Sequence, residues 1–474
     1  MSPTPDRERS SPNMSPAEFR AAAHAAVDWI ADYLENVREY PVLPSVTPGD
    51  LVDALPNAAP EQGESMDRIL EDFRNLIVPG ITHWNHPRFF GYFSVSASGP
   101  GIIGEMLSAA LNVNAMLWKS SPAATELEQV TLGWLRDWVG LPPSFFGVIH
   151  DTASTAVMHA IVAAREQACP EARTEGRKPD LVLYTSEHAH SSVEKGALAV
   201  GIGQANVRLI PSDADFAMRA DLLEAAIRAD LDAGRQPFCV VATAGTTSAT
   251  SIDPLEAAAD IAEKYGLWYH IDGAYGGVAA IVPELRPLFP ALARADSVLL
   301  NPHKWMFTPI DLCAFYTRKP DILHRAFSMK KAAYLETPGH ERAMNYSDYG
   351  VPLGRRFRSL KLWFVMRHFG REGVISIIRD HVRWAKELAQ QIAADDRFEV
   401  TAPVKLSLVC FRLKGADEPN RRLMDAVNET GKIFLSGTVL GGQFVIRLVL
   451  GNVATRKDDV DLAWQIIRDC AAKL

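Results

Sequence analysis

The chain of 474 residues is 47% hydrophobic and 22% charged, and its formal net charge at pH 7 is −8. These values are typical of a folded globular protein large enough for more than one domain, and they exclude a small binding module, a mainly disordered chain and a fibrous protein. The acidic balance gives no indication of nucleic-acid binding.

The N-terminus and the cysteines indicate the cellular compartment of the protein. Residues 1–14 carry both charge signs and no apolar core of a secretory signal, and we expect them to be disordered. Nowhere does the chain contain the run of about 18 apolar residues that spans a bilayer. The five cysteines show no CxxC spacing, so the sequence predicts neither a disulfide framework nor a zinc site. We therefore expect a soluble, cytoplasmic protein that binds no membrane.

Residues 15–85 are predicted to form an N-terminal helical arm. Apolar side chains recur at helical spacing from Pro16 to Val37, and the prolines of YPVLPSVTPGDL then end the helix. The pattern fits a simple surface helix and a helix that packs on a partner subunit equally well.

The middle of the chain has the pattern of an α/β domain. Between about residues 147 and 316, helical stretches separate six short apolar runs: DLVLYTS, NVRLIPS, FCVVATA, LWYHID, SVLLN and LCAFYT. Continuous runs of this kind indicate a mostly parallel sheet that is buried on both faces. We assign residues 86–374 to this large domain.

The C-terminal residues 375–474 are predicted to form a smaller α+β domain. A long helical region reaches about Ala394, and FEVTAPVKLSLVCFRLKG and FVIRLVLGN then alternate like antiparallel strands. The chain contains no internal repeats that would indicate a solenoid.

Two of the predicted strands end in residues that carry chemistry. LWYHID ends in Asp272, and Asn301, His303 and Lys304 follow SVLL. In open α/β sheets, ligands bind outside the carboxyl ends of the strands. A carboxylate and a lysine at one sheet edge predict a pyridoxal phosphate site, because this cofactor requires a carboxylate at its pyridine nitrogen and a lysine for its aldehyde. Each residue alone fits a turn cap or a surface lysine better.

Two further strand-to-helix junctions fit the same site. His190 precedes a helix whose Ser191 and Glu194 predict a capping box, and its imidazole could stack on a flat ring or be merely structural. The segment Thr152, Ala153 and Ser154 opens a helix whose N–H groups and dipole could bind a phosphate, although Thr and Ser are also ordinary N-caps.

The order of several rare motifs resembles the pyridoxal-phosphate-dependent group II amino acid decarboxylases, most closely the aromatic L-amino acid decarboxylases. The motifs are THWNHPRFFGYF, SSPAATELE, HAHSSVEK, NPHKW and PLGRRFRSLKLWFV, and the similarity covers nearly the whole chain. The resemblance implies the type I, aspartate-aminotransferase-like fold and a homodimer with a swapped N-terminal arm. It also implies decarboxylation of tryptophan, DOPA, tyrosine or phenylalanine to the arylalkylamine and carbon dioxide.

The resemblance also assigns roles to residues of the predicted site. Lys304 would bind the cofactor covalently with His303 beside it, Asp272 would pair with the pyridinium nitrogen, and His190 would stack on the ring. Thr247, after the strand FCVVATA, would lie near the polar edge of the ring. Those residues that would hold the phosphate are Thr152, Ala153, Ser154 and Asn301.

The proton donor and the substrate pocket are also inferred from the resemblance. MNYSDYGVPLGRRF resembles the mobile catalytic loop of the family, and Tyr346 would protonate the substrate α-carbon, with Tyr349 as the rival. The candidates for the substrate pocket are Trp84, Phe93, Leu117 and Gly354, although the aromatic ones could equally belong to the core.

The sequence departs from the family pattern in two places. Gly273 stands where alanine is usual, and His150, Asp151 and Thr152 replace smaller residues at the start of the phosphate-binding segment. The resemblance therefore defines the packing of the ring and the contacts of the phosphate less well than it defines the role of Lys304.

Three alternatives remain at this stage. The first is an aromatic aldehyde synthase, which in the family carries phenylalanine at the loop tyrosine, so that Tyr346 argues against it. The second is a decarboxylase of an acidic or other non-aromatic amino acid. The third is a catalytically inactive homologue, which the intact set of Lys304, Asp272, His190 and Tyr346 disfavours.

Overall fold

The computed structural model describes residues 13–176, 180–329 and 343–474. Almost all of the segment predicted to be disordered, residues 1–14, lies outside these ranges. The strands are β1 (Phe146–His150), β2 (Leu181–Ser186), β3 (Val207–Ile210), β4 (Gln236–Thr243), β5 (Trp268–Asp272), β6 (Ser297–Leu300), β7 (Cys313–Thr317), β8 (Phe398–Val400), β9 (Leu408–Leu413), β10 (Ser436–Leu440) and β11 (Gln443–Val449).

Helices surround these strands. The α-helices of the described residues are α1 (Pro16–Asn36), α2 (Asp50–Ala54), α3 (Met66–Asp72), α4 (Gly99–Leu111), α5 (Pro122–Val139), α6 (Ala153–Ala168), α7 (Ala172–Glu175), α8 (Ser192–Ala199), α9 (Ala220–Asp232), α10 (Leu255–Lys264), α11 (Pro302–Trp305), α12 (Pro320–Phe327), α13 (Arg358–Ala393), α14 (Asp417–Glu429) and α15 (Lys457–Ala471).

A seven-stranded sheet forms the centre of the large domain, in the order β1-β7-β6-β5-β4-β2-β3. Strands β6, β5, β4, β2 and β3 run parallel, whereas β7 is antiparallel to both β6 and β1. Each of the six apolar runs forms a strand, so the mostly parallel α/β sheet is confirmed.

Both faces of the sheet are covered, which explains why its strands show no polar alternation. Val240 and Tyr269 pack into one hydrophobic cluster with residues of α10, and Val241 and Trp268 pack into another with residues of α6. Successive strand residues therefore enter opposite cores, and the carboxyl ends of the strands remain open for a site.

The small domain is a four-stranded antiparallel sheet in the order β10-β11-β9-β8, covered by α14 and α15. The predicted antiparallel strands are confirmed, but β10 was not predicted because Gly437 and Thr438 interrupt its apolar pattern. The domain boundary predicted at residue 374 falls inside α13, just after the kink at Gly370, where φ is 62°. One long helix thus joins the two domains.

The N-terminal arm begins with the predicted amphipathic helix. Ser15 Oγ accepts the Glu18 N–H, and Glu18 Oε2 accepts the Ser15 N–H at 2.7 Å, so a capping box starts α1. No residue of α1 is buried within one chain. Among the described residues, no helix has an apolar stretch long enough to cross a bilayer.

Buried neutral histidines should make the fold sensitive to acid. Burial lowers the pKa of His270, His303 and His381 to about 4, whereas an unfolded histidine titrates near 6.5. Between these two pKa values, protonation favours the unfolded chain. The contribution of each neutral histidine to the free energy of unfolding is therefore fully present above pH 6.5 and is lost as the pH falls towards 4, by up to about 3 kcal/mol for each histidine. Burial raises the pKa of Asp253 to about 6. Protonation of this one carboxyl group favours the folded chain and so opposes the effect of the histidines.

We therefore expect the apparent Tm of the protein to fall steadily between pH 7 and pH 4.5. Differential scanning fluorimetry in matched buffers measures this slope. The variant His381→Gln should show a shallower slope because it removes one of the titrating groups. A Tm that stays constant over the interval would contradict the prediction.

Candidate active site

A cavity of about 200 Å³ lies at the carboxyl ends of the parallel strands. Its lining residues are Phe93, Thr152, Ala153, Ser154, His190, Thr243, Gly245, Thr247, Asp272, Ala274, Tyr275, Asn301, His303 and Lys304. The structure thus brings together all nine residues predicted to bind the cofactor. They come from five segments that each follow a strand, because the strand ends meet at one edge of the sheet.

Lys304 lies in α11, directly after β6. Burial lowers the pKa of its amine, and the nearby Asp272 carboxylate opposes the shift. Its Nζ lies 5.2 Å from the centroid of the Phe93 ring, and no carboxylate of the described residues is within ion-pair distance. A lysine in this environment is more often neutral at pH 7 than a surface lysine and is therefore a better nucleophile.

Asp272 is the last residue of β5 and is 3% exposed. Its carboxylate accepts the Ala274 N–H at 3.0 Å. The carboxylate also lines the cavity and has oxygen lone pairs left to accept further hydrogen bonds. Gly273 fits this turn because a methyl group at its Cα would lie 2.9 Å from the Leu299 carbonyl oxygen. The glycine that departs from the family pattern is thus explained by the close approach of β6.

His190 lies between β2 and α8, where the structure differs from the prediction. The capping box between Ser191 and Glu194 is absent, since Ser191 makes no side-chain cap. Instead, the His190 Nδ1 accepts the Ser192 N–H at 3.1 Å and lies 2.8 Å from the Ser192 Oγ. The imidazole itself caps the helix, so its proton is on Nε2. Burial lowers its pKa, which favours the neutral ring.

The segment before α6 has the features of an anion site. Thr152 is the N-cap of this 16-residue helix, whose first N–H groups have no intrahelical acceptor. Across the cavity, the buried Asn301 Oδ1 has no hydrogen-bond partner among the described residues; as an acceptor it can meet a donor of a ligand but does not itself bind an anion. Asp151 uses its Oδ1 within the protein, where this atom accepts the Thr152 N–H at 2.6 Å.

Aromatic rings wall the cavity opposite the phosphate segment. Phe93 stacks on Tyr275 with ring centroids 3.9 Å apart, and Tyr275 stacks on Trp305 at 4.7 Å. The cavity therefore combines a nucleophilic amine, a buried carboxylate, a helix N-terminus with free N–H groups, and flat apolar walls. These are the groups that pyridoxal phosphate requires, so the residues fit this cofactor.

Of the four candidates for the substrate pocket, Phe93 alone lines this cavity. Trp84 is 37% exposed and stacks on Tyr92, Leu117 is buried, and Gly354 borders a second cavity. Within one chain, the structure does not bring Trp84, Leu117 and Gly354 to Lys304.

The second cavity, of about 230 Å³, contains Tyr346. Its ring stacks on Phe146 and lies under the Arg355 guanidinium, whose Cζ is 4.7 Å from the ring centroid. Burial raises the pKa of this phenol well above its usual value. Tyr349 packs against Phe146 and His324. Neither tyrosine lines the Lys304 cavity of its own chain, so the position of Tyr346 differs from the one that its predicted role requires.

Two residues of the site were missed by the sequence interpretation. Tyr275 follows Asp272 closely and could have been found by examining every residue after the strand. Arg447 of β11 donates from Nη2 to the Thr247 carbonyl at 2.7 Å and from Nε to the Ser248 carbonyl at 3.0 Å. Its only signal in the sequence is a charge within the apolar run FVIRLVLG.

Comparisons with known proteins agree with this geometry. Residues 48–414 match the model of the pyridoxal-dependent decarboxylase conserved domain. The chain is 41% identical over 484 residues to tyrosine decarboxylase 4 of Petroselinum crispum, covering 97% of this chain and 94% of that protein. It is 40% identical over 480 residues to phenylacetaldehyde synthase of Arabidopsis thaliana, covering 97% of each.

A solved structure is also similar along almost its whole length. The crystal structure of Oryza sativa TDC with PLP and tryptamine superposes with a TM-score of 0.95 at 36% identity, covering 98% of this chain and 99% of that one. The similarity extends over the arm and both domains.

Proposed function

This chain belongs to the pyridoxal-dependent decarboxylase family, and we propose that it removes carbon dioxide from an aromatic L-amino acid and releases the arylalkylamine. It has the type I fold of the pyridoxal-phosphate-dependent enzymes, and pyridoxal 5'-phosphate is its cofactor. It is a carboxy-lyase. The names of the relatives, which concern tyrosine, phenylacetaldehyde and tryptamine, support an aromatic substrate.

The composition of the cavity is the observation that carries the proposal. Lys304 and Asp272 share it with the stacked rings of Phe93 and Tyr275, and among its lining residues there is no arginine that could pair with a second carboxylate. The guanidinium of Arg447 lies close by, but it donates to carbonyl and hydroxyl oxygens of the protein. An aromatic side chain therefore fits better than an acidic one.

The roles of the residues follow from their positions. When bound, the cofactor supplies a sink for the electrons of the bond to carbon dioxide. Lys304 Nζ would hold the cofactor until the substrate amine replaces it, and the Asp272 carboxylate would hold a proton on the pyridine nitrogen. His190 presents a neutral ring with its proton on Nε2, while Phe93 and Tyr275 line the cavity with apolar ring faces.

The proton donor has to be established by experiment, because Tyr346 lies in the second cavity of its own chain. On the family resemblance, Tyr346 is the candidate donor. Within the Lys304 cavity, the groups that could donate a proton instead are Lys304 Nζ and His190 Nε2.

A panel of L-amino acids tests the function and the donor together. Purified protein with added cofactor is incubated with tryptophan, DOPA, tyrosine, phenylalanine, glutamate and aspartate, and carbon dioxide, amine, aldehyde and hydrogen peroxide are measured. We expect carbon dioxide and amine in equal amounts from at least one aromatic substrate. Turnover of only the acidic substrates, or aldehyde with peroxide in place of amine, would refute the proposal.

The variant Tyr346→Phe extends this assay. If Tyr346 protonates the α-carbon, amine release should fall by about 10²–10⁴-fold, the usual contribution of a positioned proton donor, with aldehyde in its place. Amine release near the wild-type rate would show that the donor is another group. Tyr349→Phe is the matched control.

We also propose that the protein is a homodimer to which the N-terminal arm contributes. Helix α4 presents Ile103, Leu107 and Leu111 to solvent with exposed fractions of 51%, 45% and 61%. Grouped apolar residues on one helix face are typical of a protein interface, and α1 has no buried residue in one chain. The five cysteines, which form no disulfide among the described residues, further support the proposed cytoplasmic setting.

Light scattering coupled to size exclusion tests the dimer. The wild-type protein should have twice the mass of the chain, and Ile103→Glu should yield a monomer because it places a charge in an apolar interface. Leu231→Glu, at an apolar position of similar exposure on α9, is the control. A monomeric wild-type protein would contradict the proposal.

A further inference from the structure

We propose that His159 is a positioning residue that, together with His150, fastens the segment 346–355 to the helix that begins at the phosphate-binding residues. The catalytic consequence rests on the proposed function, whereas the contact itself does not. Neither histidine lines the Lys304 cavity, and no role of the cofactor site explains them.

The hydrogen bonds of His159 define its state. Its Nε2 accepts the Val351 N–H at 3.0 Å, and its Nδ1 lies 2.6 Å from the Thr155 carbonyl oxygen. An acceptor at Nε2 requires the proton on Nδ1, so the imidazole is neutral. The residue is completely buried in α6, and Val351 belongs to a segment 192 positions away in the sequence.

His150 completes the contact from β1. Its ring stacks on that of His159 with centroids 4.2 Å apart and an interplanar angle of 24°. Gly350 lies against both rings, because a methyl group at its Cα would be 2.9 Å from His159 Nε2 and 3.3 Å from His150 Cε1. The segment can approach this closely since residue 350 has no side chain.

The other end of the segment is held by Arg355. Its Nη2 donates to Glu128 Oε1 at 2.7 Å and to the Ile149 carbonyl at 2.8 Å, and its guanidinium covers the Tyr346 ring. Ile149 and His150 are the last two residues of β1, and the phosphate-binding segment follows them. The same strand end therefore supports the segment 346–355 and the anion site.

Protonation of the buried His159 ring would release the contact. The groups that face the pair are Asp151 after β1, the Thr155 carbonyl of α6, the Phe327 ring of α12, and Arg355 and Arg358. A proton on His159 Nε2 would remove the acceptor of Val351 and place a positive charge beside His150 and the two arginines, which the single carboxylate of Asp151 only partly offsets. Burial lowers the pKa of both histidines, so the contact persists at neutral pH.

This arrangement gives a structural role to His150, a residue that departs from the family pattern. It predicts that loss of His159 loosens the segment 346–355 and, through the strand end, lowers activity. If His159 only filled space in the core, a variant with the same free energy of unfolding as the wild type would show neither a looser segment nor a lower activity.

Hydrogen exchange of the holoenzyme, followed by mass spectrometry of peptides covering 345–356, tests the contact. In His159→Leu the Val351 amide should exchange at least about tenfold faster at pH 7. In His159→Gln the side-chain oxygen can accept the same N–H, so protection should remain. As the pH is lowered through the pKa of His159, which burial depresses, the wild type should lose protection, and the glutamine variant should keep it because it has no proton to gain.

The control is His86→Asn. His86 is also buried, and its Nδ1 accepts the Arg88 N–H at 3.0 Å, but it lies on another segment. It should leave exchange in 345–356 unchanged. Unchanged exchange in His159→Leu, or a glutamine variant no better than leucine, would overturn the proposal. If His159→Leu does not fold, the comparison of wild type with His159→Gln over an acid pH series, each at the lowest pH where both remain folded, still decides it.

The pH profile of kcat/KM gives a second readout. The acid limb of the wild type should be steeper than that of His159→Gln, whereas the two should coincide if His159 only fills space. Because hydrogen exchange does not depend on turnover, an inactive protein would refute the proposed function without affecting this test.

Discussion

Replacement of Lys304 by alanine is expected to lower kcat for decarboxylation by more than about 10³-fold, because the variant lacks the amine that attaches the cofactor. Lys304 is the lysine that lines the cavity, and its depressed pKa suits it to this reaction. Borohydride reduction of the protein incubated with pyridoxal phosphate, followed by mass spectrometry, should place the cofactor on Lys304 in the wild type. Lys304→Ala should take up no label at any lysine.

Lys195→Ala provides the matched control, since Lys195 lies on α8 near His190 but points to solvent. It should keep both the label on Lys304 and the activity. Label on another lysine in the wild type, or substantial activity of Lys304→Ala, would show that the cavity is not the catalytic centre.

Replacement of Asp272 by asparagine should lower kcat by about 10²–10⁴-fold while the free energy of unfolding changes by less than about 1 kcal/mol. Asparagine has the same shape and keeps an oxygen that can accept the Ala274 N–H. It lacks the negative charge that holds the pyridine nitrogen protonated, so the effect falls on the reaction and not on the fold. Steady-state kinetics and denaturant unfolding of the same preparation measure the two quantities.

Asp253→Asn should show the opposite pattern. Both oxygens of the buried Asp253 accept backbone N–H groups, from Thr243 at 2.7 Å and from Met218 at 2.8 Å. Asparagine can satisfy only one of them, which should cost about 1–3 kcal/mol of stability and leave kcat close to the wild-type value. Equal losses of rate in the two variants would contradict the special role of Asp272.

Prediction from the sequence succeeded where the local pattern decides the outcome. The six apolar runs became strands, and the residues after them met in one cavity, because parallel strands place their carboxyl ends side by side. It failed at Ser191, where the pattern of a capping box was present but Ser191 makes no side-chain cap and the His190 imidazole accepts the Ser192 N–H. A neighbouring side chain that caps another N–H of the same helix end cannot be weighed from spacing alone.

The candidates for the substrate pocket show a second limit. Phe93 lines the Lys304 cavity, whereas Trp84, Leu117 and Gly354 do not. None of the four directly follows a strand in the sequence, so their positions depend on how distant segments pack. Their predicted role rests on the resemblance, and one chain does not assemble them around Lys304. The proposed dimer is the arrangement in which they could still meet a substrate.

The sequence by itself determined the chemistry of this protein: the lysine, the carboxylate and the phosphate segment each follow a strand, and the order of the motifs identified the family. Only the tertiary structure decided how these groups are supported. The hydrogen bond from Val351 to His159 and that from Arg447 to Thr247 join residues 192 and 200 positions apart. Such contacts depend on how distant segments of the chain pack against one another, and no local pattern of residues records that packing.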